Sequence, residues 1–188
     1  MRSSIGLSYA GYCKRTVSGS TVTFDDGVLL PGVVQADISI TRDNVQKYAD
    51  NKLIFEISNF RQGTLTLTEA QFADDDYVYL TGNTAVSSVV HDLGNPDPPY
   101  VGFGMIEDTI AESSGEWEKS YTAVFLPKVK FAVADSSAQT RGESTSFSDP
   151  QLVGTIYEDV TGEWRRTQSF STFAAAQSWL NTLMDISA

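Results

Sequence analysis

Tyr121-Thr-Ala-Val-Phe-Leu-Pro-Lys-Val-Lys-Phe131 is the stretch whose reading decides the fold class. It opens as an apolar run to Leu126, breaks at Pro127, and then alternates. Val129 and Phe131 fall on one side of an extended chain, Lys128 and Lys130 on the other, which is the period of a strand with one buried face. Thr140-Arg-Gly-Glu-Ser144 reads as a polar turn feeding a further strand that ends at Phe147. No nucleophile, metal cluster or phosphate loop accompanies the stretch. A chain rich in sheet and poor in reactive groups reads as a building block and not as an enzyme.

Working outward, the same strand grammar continues on both sides. Upstream, Thr21–Phe24 reads as a short strand, and Asp25-Asp26-Gly27 as a turn with Gly27 supplying the positive φ. Pro31-Gly32 is a second break. Val34, Ala36, Ile38 and Ile40 then alternate with Gln35, Asp37, Ser39 and Thr41, the mark of a half-buried strand. Asp43–Lys52 is polar and reads as an extended loop. Leu53–Phe60 and Gly63–Leu67 read as two strands joined by a hairpin at Asn59–Gly63. Thr68 is a candidate cap for a helix over Glu69–Leu80, with Ala70, Phe72 and Ala73 facing inward. Thr84–Val90 reads as a strand, and the proline-rich His91–Pro99 as a loop. Tyr100–Ile110 and Glu116–Leu126 form a hairpin across Ser113-Ser-Gly115, with Gly102 and Gly104 allowing close approach.

Downstream, Gln151–Glu158 reads as a strand, Asp159-Val-Thr-Gly162 as a turn, and Glu163–Phe170 as the return strand. Gly-Glu-Trp closes both turns, at Gly115 and Gly162; Gly suits a left-handed position and Trp anchors the strand that follows. The last element is an amphipathic helix capped by Ser171 or Thr172. Phe173, Ala176, Leu180 and Leu183 make its apolar stripe, Met184 extends it and Trp179 flanks it. The whole predicts a mainly β fold, a sandwich or barrel of antiparallel sheets with one or two flanking α-helices.

Composition narrows the function classes. With 188 residues the chain fits a single domain, residues 1–188, carrying the loops near 41–52 and 91–99 and needing no disulfide to bury a core. The net charge of -11 disfavours a protein that reads or wraps DNA, because phosphates are repelled. Cys13 is the lone cysteine and implies no oxidising compartment. The first residues lack an apolar signal core, and no apolar run reaches the roughly 20 residues of a membrane helix, so the expectation is synthesis and assembly in a cytoplasm.

Candidate sites were weighed against plainer readings. His91 is the only histidine; with no nucleophile in view it reads as a polar loop residue and not as a catalytic base. Asp74-Asp75-Asp76 lacks the alternate spacing and Gly of a calcium loop and reads as a solvated acidic face. Glu112, Glu116, Glu118 and Glu163 are not placed as a glycosidase pair. Trp117, Trp164 and Trp179 suit core or interface anchoring better than a carbohydrate platform. Gly102-x-Gly104 is too short for a nucleotide fingerprint, and Cys13 reads as a small buried residue. The expectation is therefore no catalytic residue, no cofactor site and no metal site.

Several segments, in order, resemble the major tail tube proteins of long non-contractile-tailed bacteriophages. They are Ile5-Gly-Leu-Ser-Tyr-Ala10; Ile38-Ser-Ile-Thr-Arg-Asp-Asn-Val45 with Tyr48-Ala-Asp-Asn-Lys-Leu53; Gly63-Thr-Leu-Thr-Leu67; Val101-Gly-Phe-Gly-Met105; Phe125-Leu-Pro-Lys-Val-Lys-Phe131; and Thr140-Arg-Gly-Glu-Ser144, with the closing Gly-Glu-Trp and helix. His91–Pro99 matches least. The resemblance implies two packed antiparallel sheets flanked by a helix, with a long loop reaching neighbours. It implies homohexameric rings stacked into a hollow virion tail tube, assembled in the host cytoplasm around a tape-measure protein, with distal tail and tail terminator proteins at its ends. DNA would pass through the lumen without specific binding, and no membrane is involved. The alternatives are a tube subunit of a contractile injection or secretion system, which shares the general fold, and a monomeric β-sandwich module that binds carbohydrate.

Overall fold

The structure, a computed structural model, describes residues 2–50, 52–87, 89–113, 116–134 and 149–186. In chain order its elements are β1 (Arg2–Ser18), β2 (Thr21–Leu29), β3 (Val33–Ala49), β4 (Lys52–Glu69), α1 (Asp74–Thr81), β5 (Thr84–Val86), β6 (Val89–His91), β7 (Tyr100–Ser113), β8 (Glu116–Val133), β9 (Gln151–Ile156), β10 (Arg166–Phe170) and α2 (Phe173–Met184). Eight strands form one antiparallel sheet in the order β2-β1-β7-β8-β9-β4-β3, with β10 also on β8. β5 and β6 form a separate two-stranded ribbon. The mainly β fold with flanking helices stands as the sequence predicts.

The stretch that opened the analysis lies within β8, and Pro127 does not end it. β8 pairs with β7 along its length, from Tyr100↔Lys130 to Ser113↔Glu116, and the register slips between Val101↔Val129 and Phe103↔Leu126. Pro127 and Lys128 therefore sit in a β-bulge, where a residue with no N–H costs the ladder little. The extra residue also changes the parity of the strand. Val124 and Leu126 before it, and Val129 and Phe131 after it, all enter the same core. Lys128 and Lys130 face the other way, their ammonium groups 5.0 and 5.4 Å from the centre of the Tyr100 ring.

Two cores result, one on each face of the central strands. The sheet folds over so that β1 approaches β3. Inside the fold, Ala10 and Tyr12 of β1 and Phe103 and Met105 of β7 meet Leu65 and Leu67 of β4, with Leu80 of α1 inserted among them. On the outer face α2 lays Ala176, Leu180 and Met184 over Cys13, Ile106, Ala123 and Phe125. β1, β7 and β8 are thus covered on both sides, which accounts for the unbroken apolar run Ala123–Leu126. Thr172 caps α2, its side-chain oxygen accepting from the Ala175 N–H at 3.4 Å. Gly102 and Gly104 lie under this layer. A Cβ at Gly102 would come within 2.7 Å of the Cys13 sulfur, and one at Gly104 within 2.7 Å of Met184 Sδ.

Several expectations are corrected. Asp25-Asp26-Gly27 is not a turn: it lies inside β2 at a slip in the β1–β2 register, and Asp26 takes the positive φ of 50°. The helix expected over Glu69–Leu80 begins only at Asp74. Thr68 and Glu69 stay extended because they remain in ladders, Thr68 opposite Gln151 and Glu69 opposite Val33. Phe72 is half-buried, but Ala70 and Ala73 are exposed. Thr84–Val90 is a hairpin of β5 and β6, turning at Ser87 with φ 50°, and not one strand.

The Asp159–Gly162 turn is present, with the Gly162 N–H donating to the Asp159 carbonyl at 2.9 Å and Gly162 at φ 77°. The strand after it does not return along β9, however; β10 pairs with the first half of β8, from Tyr121↔Phe170 to Phe125↔Arg166. Ser114 and Gly115 of the first Gly-Glu-Trp turn, and the segment Thr140–Phe147, lie outside the described residues.

Candidate functional site

The largest departure from the sequence reading is also the feature that most resembles a working surface. Asp43–Lys52 is not a loop. β3 runs to Ala49, β4 starts at Lys52, and the two pair continuously from Val33↔Glu69 to Ala49↔Lys52. The expected hairpin at Asn59–Gly63 is likewise absent. Those residues lie mid-strand in β4, where Arg61 is passed over between the pairs Arg42↔Phe60 and Thr41↔Gln62. Gly63 sits against Ile156, which leaves little room for a side chain there.

Beyond Arg42 and Phe60 the β3–β4 pair leaves the body as a two-stranded ribbon in which the described side chains are exposed. Residues directly opposite in an antiparallel pair share a face. One face of the ribbon therefore carries Asp43 with Asn59, Val45 with Ile57, and Lys47 with Phe55; the other carries Asn44 with Ser58 and Gln46 with Glu56. The first is apolar at its centre and the second is polar. Tyr48 shares the polar face, its hydroxyl donating to Gln46 Oε1 at 2.7 Å.

The apolar side is the reverse of the body's. In the body Ala36, Ile38, Leu65 and Leu67 point into the core, and Arg42, Asn44 and Gln46 continue that side by strand alternation. The ribbon's apolar residues thus face away from the chain's own core. Val45 is 60% exposed, Phe55 55% and Ile57 40%, with Leu53 and Ile54 open at the tip. An isolated two-stranded ribbon is marginal in water, so one with an uncovered apolar face calls for a partner.

The base of the ribbon is firmly held. Phe60 stacks on Trp164, ring centres 4.9 Å apart and planes 8° apart, and the Arg165 guanidinium lies 4.7 Å from the Trp164 ring. The turn that carries Trp164 is itself fixed by an ion pair between Arg15 and Asp159, whose side chains are only 6% and 3% exposed. β2 and β3 terminate the sheet order, so each keeps an unpaired edge.

The residues weighed as chemical candidates do not converge. His91 is exposed at the end of β6, opposite Thr84. Its neighbour Asp92 accepts from Asn83 Nδ2 at 2.6 Å and from the Tyr77 hydroxyl at 3.1 Å, tying the loop to α1. Asp74 and Asp75 are exposed in the first turn of α1, where the helix dipole favours them, and Asp76 accepts from the Tyr12 hydroxyl at 2.7 Å. Glu118 is exposed, and Glu163 accepts from Arg166 Nε at 2.8 Å; the side chains of Glu112 and Glu116 lie outside the described portion.

Trp164 and Trp179 pack at the margins of the two cores, whereas Trp117 is 63% exposed and anchors nothing described. Cys13 is fully buried, which pushes its thiol up to about 12. Among the described residues no three His, Cys, Asp or Glu side chains gather as metal ligands, and no helix is long and apolar enough to cross a membrane. A groove of about 220 Å³ between Leu7–Ala10 and Leu29–Val33 is lined by no charged side chain. The chain matches no protein-family model, and no curated protein is significantly similar to it.

Sequence reasoning missed the ribbon because Asp43–Lys52 is polar in composition. The signal was nonetheless there: Val45 and Tyr48 are good strand formers, Asp50-Asn51 is a turn pair, and Leu53-Ile-Phe-Glu-Ile57 answers on the far side.

Proposed function

We propose that this chain is a self-assembling structural protein, the tail tube subunit of a long non-contractile-tailed bacteriophage. Copies would stack as hexameric rings through which the genome leaves the capsid. The ribbon with its outward apolar face carries the reading, since it is a surface that a second copy can cover and the chain's own core cannot. The ordered resemblance of the sequence segments, the mainly β fold and the open edges of β2 and β3 support it. Tape-measure, distal tail and tail terminator proteins are the expected further partners.

Magnitudes favour a polymer over a simple dimer. Full burial of a large apolar side chain is worth about 1.5–3 kcal/mol, and Val45, Phe55 and Ile57 are already partly covered. Covering all three therefore gains only a few kcal/mol, against about 4–15 kcal/mol for the freedom lost on association. One such contact makes a weak pair. Several made at once around and between rings make a stable tube.

Negative-stain microscopy and sedimentation of the concentrated protein test the proposal. Rings or hollow tubes are expected for the native chain, and single subunits for the Phe55→Lys, Ile57→Lys double variant. Tubes that form equally well with both would remove the ribbon from the account. A native chain that stays monomeric at any concentration, with a saturable rise in Tm on adding oligosaccharides, would favour the carbohydrate-binding module instead.

A further inference from the structure

Glu69 occupies an unusual place for an acid. It is the last residue of β4, 1% exposed, and one of its carboxylate oxygens has no hydrogen-bond partner among the described residues. Its backbone is fixed, the N–H donating to the Pro150 carbonyl at 3.2 Å and the residue pairing with Val33. The side chain lies beneath α1, the short helix that inserts Leu80 into the inner core.

The surroundings offer Glu69 no cation. From α1 the group acting on it is Asp76, which the Tyr12 hydroxyl of β1 holds at 2.7 Å. Asp74 and Asp75 precede Asp76 in the same turn. The ladder partner on β3 is Val33, and the strand on the other side brings Pro150 and Gln151, none of them charged. A nearby ammonium, Lys14, stands over the Tyr79 ring at 5.9 Å and is already paired with Asp26 at 2.8 Å.

We infer that Glu69 and Asp76 form a proton-operated latch: α1 stays seated on the inner core while Glu69 is protonated, and is loosened when Glu69 ionises beneath Asp76. Two facing anions, one of them buried without a partner, oppose the seating of the helix. Burial, with the Asp76 charge adding to it, pushes the Glu69 carboxyl up to about 7 from an ordinary 4.5.

The sign follows. The proton is held more tightly with α1 seated than with it lifted. Seating is therefore strongest below about pH 4.5, weakens as pH rises toward 7, and levels off above that. Each pH unit inside the window multiplies the lifted population by up to about ten. What holds the helix against this is the Tyr12–Tyr79 stack, ring centres 5.6 Å apart, and Leu80. Such a helix can open locally without global unfolding.

Native-state hydrogen exchange on the full chain tests the latch, with protection factors corrected for intrinsic exchange. Protection of the Tyr79, Leu80 and Thr81 amides is expected to fall tenfold or more between pH 5 and 7.5, while that of Leu180 in α2 stays level. In Glu69→Gln the fall in α1 disappears. Should that variant not fold, Asp76→Asn keeps the Tyr12 contact and removes the neighbouring charge, and the fall should shrink and move to lower pH. An equal fall in the native and variant chains, or a carbon-13 titration of Glu69 at its ordinary value near 4.5, overturns the inference.

Discussion

At the scale of single residues, Gly27 shows how a right residue was read for a wrong reason. The sequence marks it as the glycine of a turn, yet the left-handed backbone belongs to Asp26. Gly27 is needed because the end of α2 presses on β2: a Cβ there would lie 2.3 Å from the Met184 carbonyl oxygen and 2.3 Å from Ile186 Cγ1. The carbonyl is backbone and cannot swing aside, so Gly27→Ala must push the helix terminus off the sheet. A loss of about 1–3 kcal/mol is expected, as for other overpacked sites. Gly94→Ala, which meets nothing within 4 Å, should stay within about 0.5 kcal/mol. Chemical denaturation of the two variants side by side checks this; equal stabilities would mean that α2 does not bear on β2 as described.

At the scale of elements, the ribbon separates folding from assembly. Its described side chains beyond Arg42 and Phe60 are exposed and contribute nothing to either core. The Phe55→Lys, Ile57→Lys variant should therefore melt within a few degrees of the native monomer under conditions where neither associates, since exposed substitutions shift stability by about 0.5 kcal/mol or less. A drop of ten degrees or more in differential scanning calorimetry would show that the apolar face is covered by the chain's own body. The element-level signals that succeeded were those with both period and punctuation. α2 has a cap, a stripe and a short length, and its buried residues Ala176, Leu180 and Met184 lie on the stripe read from sequence. β8 has strand period on both sides of Pro127, but a proline in sequence looks the same whether it stops a strand or sits in a bulge. Only the partner strand decides, and here β7 slips its register to accommodate it.

At the scale of the whole molecule, charge and surface act against each other. Each copy carries a net charge of -11, so bringing copies together crowds like charges while the ribbon's apolar face draws them in. Raising ionic strength from about 0.01 to 0.1 M shortens the screening length from roughly 30 to 10 Å and should promote assembly by the native chain. Light scattering across a salt series measures this. Assembly that weakens as salt rises would mean that opposite charges, and not apolar contacts, join the subunits.

By itself the sequence determined the class of fold, the inner and outer strand faces around Tyr121–Phe131, and the closing helix. These depend on local period, and period is written in neighbouring residues. Tertiary structure alone decided that Thr68 and Glu69 stay in strand, that β10 joins β8 and not β9, and that Asp43–Lys52 is half of a ribbon whose apolar face points outward. Each of those outcomes turns on which distant strand supplies the hydrogen bonds, and a pairing between residues far apart leaves no mark in the local pattern of either.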